Sequence, residues 1–264
     1  MACYLEKPAC RIKKMLSIDQ WHERYRQQAE WTYAARQRAY QLSGIGSAAD
    51  ILDVGSGTGA LEEELNCLTE ARVTCLDISR DNLFYHHGKS HGTLVNADGQ
   101  HLPFRNNCFD VSLFQYVLLW LHDPLAALRE MKRVTRPNGY VVALAEPDYA
   151  HRIDNPKEME PYSRMQREAL IKQGANPDIG SSLGDLFFTA GLQIIEVGLT
   201  GGAWHSGEPT EHTNLEWLVT QADLGSLVST TELAHMRGVS DLSFLQGRRV
   251  AYLPVFYAVG RVTV

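Results

Sequence analysis

The chain has 264 residues, of which 44% are hydrophobic and 21% are charged. These fractions are those of a globular protein and exclude a largely disordered chain. No apolar run approaches the ~20 residues that span a bilayer. The formal net charge is −6, and the sequence has no basic patch, which disfavours a nucleic-acid binder. The mixed, charged stretch Met1–Lys14 lacks the apolar core of a signal peptide, so we predict a cytoplasmic protein.

The cysteines and histidines do not form a recognisable metal or disulfide pattern. The five cysteines are odd in number and scattered: Cys3, Cys10, Cys67, Cys75 and Cys108. Such spacing fits neither a disulfide framework nor a zinc site. Cys75 and Cys108 lie within or beside apolar runs and are predicted to be core thiols. His86, His87 and His91 lack the spacing of metal ligands and are predicted to lie on a surface helix. We therefore predict no metal site.

The elements in chain order begin with a helical segment over residues 17–42, with Asp19 as a candidate cap. Short apolar runs then alternate with helical stretches. Strands are predicted at Ile51–Val54, Val73–Asp77, Thr93–Asn96, Phe109–Gln115 and Tyr140–Glu146. The helices that separate them are predicted at Ala60–Leu68, Asp81–Lys89 and Pro124–Thr135. This alternation predicts an α/β protein with a parallel sheet covered on both faces.

The remainder of the chain continues with more helical material. Helices are predicted at 156–174, 181–190, 214–223 and 230–236, and strands at Leu192–Val197 and Pro254–Val262. The segment 200–250 is too long for a plain loop in a compact domain, so we expect it to be structured or functional.

A glycine-rich turn follows the first predicted strand and contains Gly55, Ser56, Gly57 and Gly59. Glycine lets the backbone approach a ligand closely, and the following helix begins with free N–H groups. Gly55, Gly57 and Ala60 also satisfy the G-x-G-x-x-A pattern of dinucleotide-binding proteins. The turn therefore predicts a cofactor site without identifying the cofactor.

An acid before this turn favours a cationic ligand. Asp53 would repel the pyrophosphate of NAD and attract the ammonium and sulfonium groups of S-adenosylmethionine (SAM). At an effective dielectric constant near 20, two unit charges 4 Å apart interact by roughly 4 kcal/mol. Asp53 as a hydrogen-bond acceptor that orients the next helix is the alternative.

Two further acids follow later strands. Asp77 ends the second strand, about 20 residues after Gly55, where both NAD and SAM enzymes hold a ribose diol; a helix cap is the alternative. Asp98, followed by Gly99, is placed to accept from an adenine amino group, or else it forms an Asp-Gly turn.

Four motifs in order carry a family resemblance: ILDVGSGTGALEEEL, VTCLDIS, LVNADGQHLPF and FDVSLFQYVLLWLHDPLAALREMKRVTRPNGYVVALAEPD. Over residues 50–148 they resemble class I SAM-dependent methyltransferases, in particular the ubiquinone/menaquinone C-methyltransferase-like small-molecule group. The resemblance implies a Rossmann-like, doubly wound, seven-stranded and mostly parallel sheet with a reversed last strand. Trp120 departs from the pattern, because many relatives have His there. The Asn/Asp-Pro-Pro-Tyr/Phe and Pro-Cys signatures of DNA-methylating enzymes are absent.

The resemblance also implies roles for individual residues. The glycine turn, with Ser56, would lie against the amino-acid end of SAM, and Asp77 would hold its ribose. Ile78 would pack on adenine, Asp98 and Gly99 would meet the adenine edge, and Gln115 would lie near the methionine part or the methyl group. We accordingly predict a single domain, 1–264, with three parts: an N-terminal helical lid (1–47), a SAM-binding core (48–150) and a substrate cap with the C-terminal strands (151–264).

The lid is predicted from its aromatic and basic residues. In similar enzymes an N-terminal helix closes over SAM, so we expect Trp31 or Tyr33 to shield the cofactor. Arg36 is expected to reach the SAM carboxylate, since Arg suits a bidentate contact. The alternative is an amphipathic helix whose aromatic residues pack on the core.

The catalytic candidates follow the fifth strand: Glu146, Tyr149 and His151. His151 is a candidate general base because its ordinary pKa lies near neutrality; the alternative is a solvated charged loop. Weaker candidates for the same pocket are Trp204, His205, His212 and Trp217.

The sequence predicts transfer of a methyl group from SAM to a small molecule, leaving S-adenosylhomocysteine. An NAD-dependent oxidoreductase is one alternative, although no Tyr-x-x-x-Lys pair follows the fourth strand. A non-catalytic SAM-binding protein is the other. The helical insertions are also compatible with a homodimer interface.

Overall fold

The computed structural model describes residues 16–88, 92–203, 211–225 and 227–263, and its centre is an eight-stranded sheet. The strands are β1 (Asp50–Val54), β2 (Arg72–Asp77), β3 (Thr93–Asn96), β4 (Phe109–Gln115), β5 (Thr135–Pro147), β6 (Ile153–Asn155), β7 (Gln193–Ala203) and β8 (Val250–Arg261). Their order is β3-β2-β1-β4-β5-β8, with β6 and β7 also paired to β8.

The strand directions confirm the predicted Rossmann-like sheet. Strands β1 to β5 run parallel, whereas β8 runs antiparallel to β5. The reversed last strand is therefore present. The sheet has eight strands and not the predicted seven, because the short β6 pairs with β8 in a stretch that has no strand-like pattern in the sequence.

Nine helices are found in the described part of the chain: α1 (Ile18–Trp31), α2 (Tyr33–Ser43), α3 (Glu62–Leu68), α4 (Arg80–His87), α5 (Pro124–Val134), α6 (Glu160–Lys172), α7 (Leu183–Thr189), α8 (Glu211–Leu224) and α9 (Thr230–Leu245). The predicted helix 17–42 is two helices that meet at Thr32. The cap of α1 is Ser17 and not Asp19, since the Ser17 hydroxyl accepts the Gln20 N–H and the Gln20 side chain accepts the Ser17 N–H. This reciprocal capping box satisfies two N–H groups at the helix start.

The core lies on both faces of the parallel strands. Along β1, Ile51 packs into one buried cluster and Leu52 into another, as expected for a strand that is covered on both sides. Cys75 lies in the first of these clusters and is fully buried, which confirms it as a core thiol, whereas Cys108 is only partly buried. Because β1, β2 and β4 run parallel, their carboxyl ends meet at one edge of the sheet.

A separate small core forms among α6, α8 and α9. It contains Ala169, Leu224, Leu233 and Met236, with Trp217 packed against it. The segment 200–250 is therefore structured where it is described, as predicted. We call α6, α8 and α9 the helical cap. Across the described residues, no helix is both long and apolar enough to cross a membrane.

Candidate functional site

The turn after β1 needs glycine at three positions. Gly55, Gly57 and Gly59 have φ angles of 72°, 57° and 81°, a region that residues with a Cβ atom rarely adopt. The N–H groups of Gly55 and Ser56 both donate to the Leu76 carbonyl, at 2.7 and 3.0 Å. These bonds fix the turn against the end of β2, so that it lies at the carboxyl edge of the sheet, where open α/β sheets bind ligands.

Asp77 holds this turn from the neighbouring strand. One carboxylate oxygen accepts the Gly57 N–H at 2.8 Å, and the other accepts the Ser79 N–H at 2.7 Å. The helix cap of α4 is Ser79, whose hydroxyl accepts from Asn82. The alternative in which Asp77 serves as the helix cap is therefore wrong, and its ribose contact stays a prediction.

The acids near the turn form an electronegative cluster. Asp53 is 2% exposed. Burial, and then the charges of Asp77 and Glu62, raise the pKa of Asp53 to about 7. A cation placed here would favour the ionised carboxylate, whereas a second anion would be repelled.

The other predicted cofactor residues line the same edge. Ile78 is 72% exposed, which leaves an apolar surface free beside Asp77. The Asp98 carboxylate accepts the Gln100 N–H at 2.9 Å, so the Asp-Gly turn that was its alternative is present, with Gly99 buried within it. The Oε1 atom of Gln115 is buried, and no residue in the described part of the chain gives it a hydrogen bond. An unpaired buried acceptor is costly, and a ligand donor would relieve that cost.

Helix α1 lies across the glycine turn. The His22 Nδ1 atom is 2.8 Å from the Thr58 hydroxyl, and the Tyr25 ring lies against Gly57. Burial and the charge of Asp77 raise the pKa of the Tyr25 phenol, which places that phenol close to the acid. Tyr25 was not among the predicted contacts, although it shares one helix face with His22, and that spacing could have indicated it.

The lid residues predicted to meet the cofactor make contacts within the protein. The Arg36 guanidinium is 2% exposed, and its Nε atom donates to Glu64 at 3.0 Å. The predicted contact with the SAM carboxylate conflicts with this ion pair, because both cannot use the same edge of the guanidinium. Tyr33 is 56% exposed, and its ring centroid lies 5.8 Å from the Arg36 guanidinium carbon. Trp31 packs on the Arg24 guanidinium, 4.6 Å from its ring centroid.

The prediction that the histidines of the helix after β2 lie on the surface is wrong for His86. Its side chain is buried and contacts the Glu62 carboxylate, which also accepts the Gly92 N–H at 2.8 Å. His87 is exposed, and His91 lies outside the described residues. Donor atoms of Glu62, His86 and Cys75 lie within 4.8 Å of one another. Burial, Asp53 and Glu62 raise the pKa of the Cys75 thiol, which disfavours its thiolate form. His86 of this cluster lies directly against the glycine turn at Gly59.

Glu146 is built into the scaffold and not into an open pocket. It is fully buried, and its carboxylate accepts the N–H groups of Val117, Leu118 and Leu119 at 2.7, 2.9 and 3.2 Å. Burial raises the pKa of Glu146 to about 7 against the opposing effect of these bonds. The candidate substrate contact at Glu146 is therefore corrected: its oxygens are engaged in holding the turn after β4.

The Glu146→Gln variant should lose stability. An amide presents an NH₂ group where the carboxylate accepts a backbone N–H, and we expect about 2 kcal/mol less unfolding free energy at pH 8. Because the folded pKa is raised from 4.5 to about 7, the folded state binds more protons in this range, so wild-type stability falls as pH rises from about 5 to 7. Denaturant titrations of wild type and variant across pH 5–8 should show a smaller fall in the variant. An unchanged stability with lost activity would instead return Glu146 to the catalytic candidates.

The remaining substrate candidates are separated in the structure. The His151 side chain is 73% exposed and bonds to the buried Asp148 carboxylate at 2.9 Å. Tyr149 is partly buried. Burial raises the pKa of its phenol, and the charges of Arg152, Asp223 and Arg24 also shift that pKa. Trp217 packs in the core of the helical cap and not in a pocket. Trp204, His205 and the side chain of His212 lie outside the described residues.

Comparison with known proteins agrees with this geometry. Residues 52–143 match the family model of a methyltransferase domain. The malonyl-[acyl-carrier protein] O-methyltransferase of Hahella chejuensis is 30% identical over 169 residues, covering 59% of this chain and 61% of that protein. The ubiquinone/menaquinone biosynthesis C-methyltransferase UbiE of the same organism is 32% identical over 111 residues, covering 39% and 45%.

A solved structure shares the fold over most of this chain. A candidate methyltransferase of Bacillus halodurans superposes with a TM-score of 0.60 at 16% sequence identity, covering 87% of this chain and 99% of that one. The chain thus shares the Rossmann-like fold of that structure. Over the stretches matched above, the chain is similar to methyltransferases, in agreement with the family resemblance that the sequence motifs carry. It spans 61% or less of the length of the curated relatives named above.

Proposed function

We propose that this protein transfers a methyl group from SAM to a small-molecule acceptor. The observation that carries the proposal is the buried acidic cluster at the glycine turn. Asp53, Asp77 and Glu62 together raise the cost of placing another anion there. A pyrophosphate cofactor would add negative charge to this edge, whereas SAM brings an ammonium and a sulfonium and no phosphate.

The residues present fit SAM. The glycine turn lets the backbone approach the amino-acid end closely, and the Tyr25 ring lies against it at Gly57. Asp77 stands where the ribose hydroxyls would bind, and Ile78 offers an exposed apolar surface for adenine. The unpaired Gln115 Oε1 would accept a donor from the methionine part. SAM itself supplies the electrophilic methyl group and the leaving group.

The chain then has to align the acceptor and exclude water. Orientation within a closed site supplies much of the rate of a displacement. Helix α1 is placed for this task, because its His22 and Tyr25 side chains already cover the turn. The exposed His151 is a weak candidate for a base in such a closed site, and the partly buried Tyr149 phenol is a better placed one. We further propose that the protein acts in the cytoplasm as a single-domain enzyme.

SAM affinity should rise with pH if Asp53 faces the cofactor. The pKa of Asp53 is raised to about 7, so below pH 7 the carboxyl is mostly neutral, and a cation gains little from it. Titration calorimetry should give a SAM Kd about tenfold lower at pH 8 than at pH 6. The Asp53→Asn variant should lose this slope, while Glu63→Gln, an exposed acid at the start of α3, should retain it. A slope that persists in Asp53→Asn would contradict the assignment.

Activity is tested directly with a radiolabelled-methyl assay over a panel of small metabolites, run beside titrations with S-adenosylhomocysteine and NADH. The proposal expects S-adenosylhomocysteine to bind, NADH not to bind, and at least one acceptor to be methylated. Binding of NADH in preference to S-adenosylhomocysteine would favour the oxidoreductase. Cofactor binding without transfer to any acceptor would favour the non-catalytic alternative.

A further inference from the structure

Arg24 differs from the other buried arginines. The arginines buried among the described residues are Arg24, Arg36 and Arg249. Arg36 pairs with Glu64, and Arg249 pairs with Asp154 at 2.7 Å. Arg24 is only 7% exposed, yet no described side chain gives it a carboxylate at ion-pair distance. A buried charge without a counter-charge is costly, so a partner from outside the described chain is expected.

One edge of the Arg24 guanidinium is free. Its Nη1 atom donates to the Gln27 side chain at 3.0 Å, and its face packs on the Trp31 ring, 4.6 Å from the centroid. Its Nε atom is buried and has no hydrogen-bond partner among the described residues. The Nε and Nη2 groups form the fork with which arginine binds a planar carboxylate through two parallel bonds.

The position of Arg24 separates it from the cofactor turn. Helix α1 places one set of side chains on the turn, which we call the loop face: Trp21, His22 and Tyr25. A second set, which we call the cap face, contains Arg24, Gln27 and Trp31. At about 100° per residue these two faces are centred roughly 130° apart around the helix. Helix α1 also packs against α8 of the helical cap.

The groups whose ionisation responds to the charge of Arg24 come from the end of β4 and from the helical cap. Burial raises the pKa values of Tyr116 and Asp223, and the charge of Arg24 opposes both rises. Tyr116 directly follows Gln115 at the carboxyl end of β4. Asp223 does not serve as the partner of Arg24, since it accepts from Gln166 at 3.0 Å and from Gln173 at 3.4 Å.

We infer that Arg24 binds the carboxylate of the methyl acceptor, so that the acceptor is a small carboxylic acid with an aromatic or otherwise apolar body. The inference rests on the proposed function and identifies the substrate class of the same site. The indole of Trp31 and the phenols of Tyr116 and Tyr149 supply the apolar surface for that body. The carboxylate anchors the molecule at the cap face, and the atom that receives the methyl group lies towards Tyr116 and Gln115.

Binding of neutral and anionic probes tests the inference on the wild-type protein. With S-adenosylhomocysteine at saturation, calorimetry measures benzoate, phenylacetate and cinnamate, each against its neutral amide. At least one carboxylate should bind about tenfold or more tightly than its amide. Equal binding of every acid and its amide overturns the inference. The proposed function is judged separately, by whether S-adenosylhomocysteine itself binds.

A pair of variants distinguishes the two sources of a carboxylate, the acceptor and SAM. Arg24→Gln should abolish the preference for acids and leave the S-adenosylhomocysteine Kd within about twofold. Arg26→Gln, an exposed arginine on the same helix, should change neither quantity. A large loss of S-adenosylhomocysteine affinity in Arg24→Gln, with the acid preference intact, overturns the inference in favour of the cofactor carboxylate. Should Arg24→Gln misfold, Arg24→Lys keeps the charge and loses the fork, and it should also reduce the preference for acids.

Discussion

The Gly59→Ala variant should lose about 3 kcal/mol of unfolding free energy together with its affinity for the cofactor. Gly59 has a φ angle of 81°, which strains any residue with a Cβ atom. A Cβ built at this position would lie 2.1 Å from the His86 Nε2 atom. His86 cannot retreat without leaving the buried Glu62 carboxylate, so the turn itself must shift. Because the turn shapes the cofactor site, its displacement lowers affinity as well as stability.

Thermal unfolding and S-adenosylhomocysteine titration measure both effects. For a chain of this size, the expected loss corresponds to a Tm lower by about 6–12 °C. The matched control is Gly88→Ala. Gly88 has a φ angle of −72°, and a Cβ there meets nothing within 4 Å. It should be neutral or stabilise the fold by up to about 1 kcal/mol. A Gly59→Ala protein that melts and binds like wild type would contradict the account of the turn.

The sheet could be predicted from the sequence because its signals are local. Apolar runs bounded by glycine or acidic residues located β1 to β5, and the helices between them follow from the right-handed crossover that parallel strands require. The short β6 could not be predicted, because three residues carry no periodicity. Its position depends on the buried Asp154, which accepts from Arg152 and from Arg249 on the approach to β8, and that contact joins residues 95 positions apart.

The site residues likewise divide into those that the local sequence predicts and those that depend on distant partners. Asp53, Gly57 and Asp77 could be found because the turn that joins them is contiguous with two predicted strands. Arg36 and Glu146 were assigned to ligands because the sequence shows a charged residue but not its partner. Glu64 neutralises Arg36, and three backbone N–H groups occupy Glu146. Both partners come from other elements, so only the tertiary structure can reveal that these charges are already satisfied.

For the same reason, the sequence does not reveal the burial of Arg24 and His86. On the sequence Arg24 is one of several basic residues in a polar helix, and only burial without a carboxylate distinguishes it. His86 lies in a histidine-rich run that is typical of a surface, and its pairing with Glu62 crosses 24 residues of chain. Residues whose function depends on the presence or the lack of a distant partner cannot be predicted from local pattern.

The Asp77→Asn variant should raise the Kd for S-adenosylhomocysteine by about 100-fold. Asp77 has two tasks that only a carboxylate can combine. Its oxygens accept N–H groups from Gly57 and Ser79, and their remaining lone pairs face the position proposed for the ribose hydroxyls. An amide has one accepting oxygen, so its NH₂ group would be turned against one of the two backbone donors. The glycine turn would then loosen at Gly57 as the ribose loses its charged acceptor.

Calorimetry of Asp77→Asn beside Asp81→Asn isolates this effect. Asp81 is an exposed acid in the first turn of α4, where loss of charge removes only about 0.5 kcal/mol of helix-dipole stabilisation. Its Kd should stay within about twofold of wild type. Thermal unfolding without ligand separates the two tasks of Asp77, because a loosened turn lowers Tm before any ligand is added, whereas the ribose contact does not. A wild-type Kd in Asp77→Asn would remove Asp77 from the cofactor site, and with it the geometric basis for placing adenosine at the end of β2.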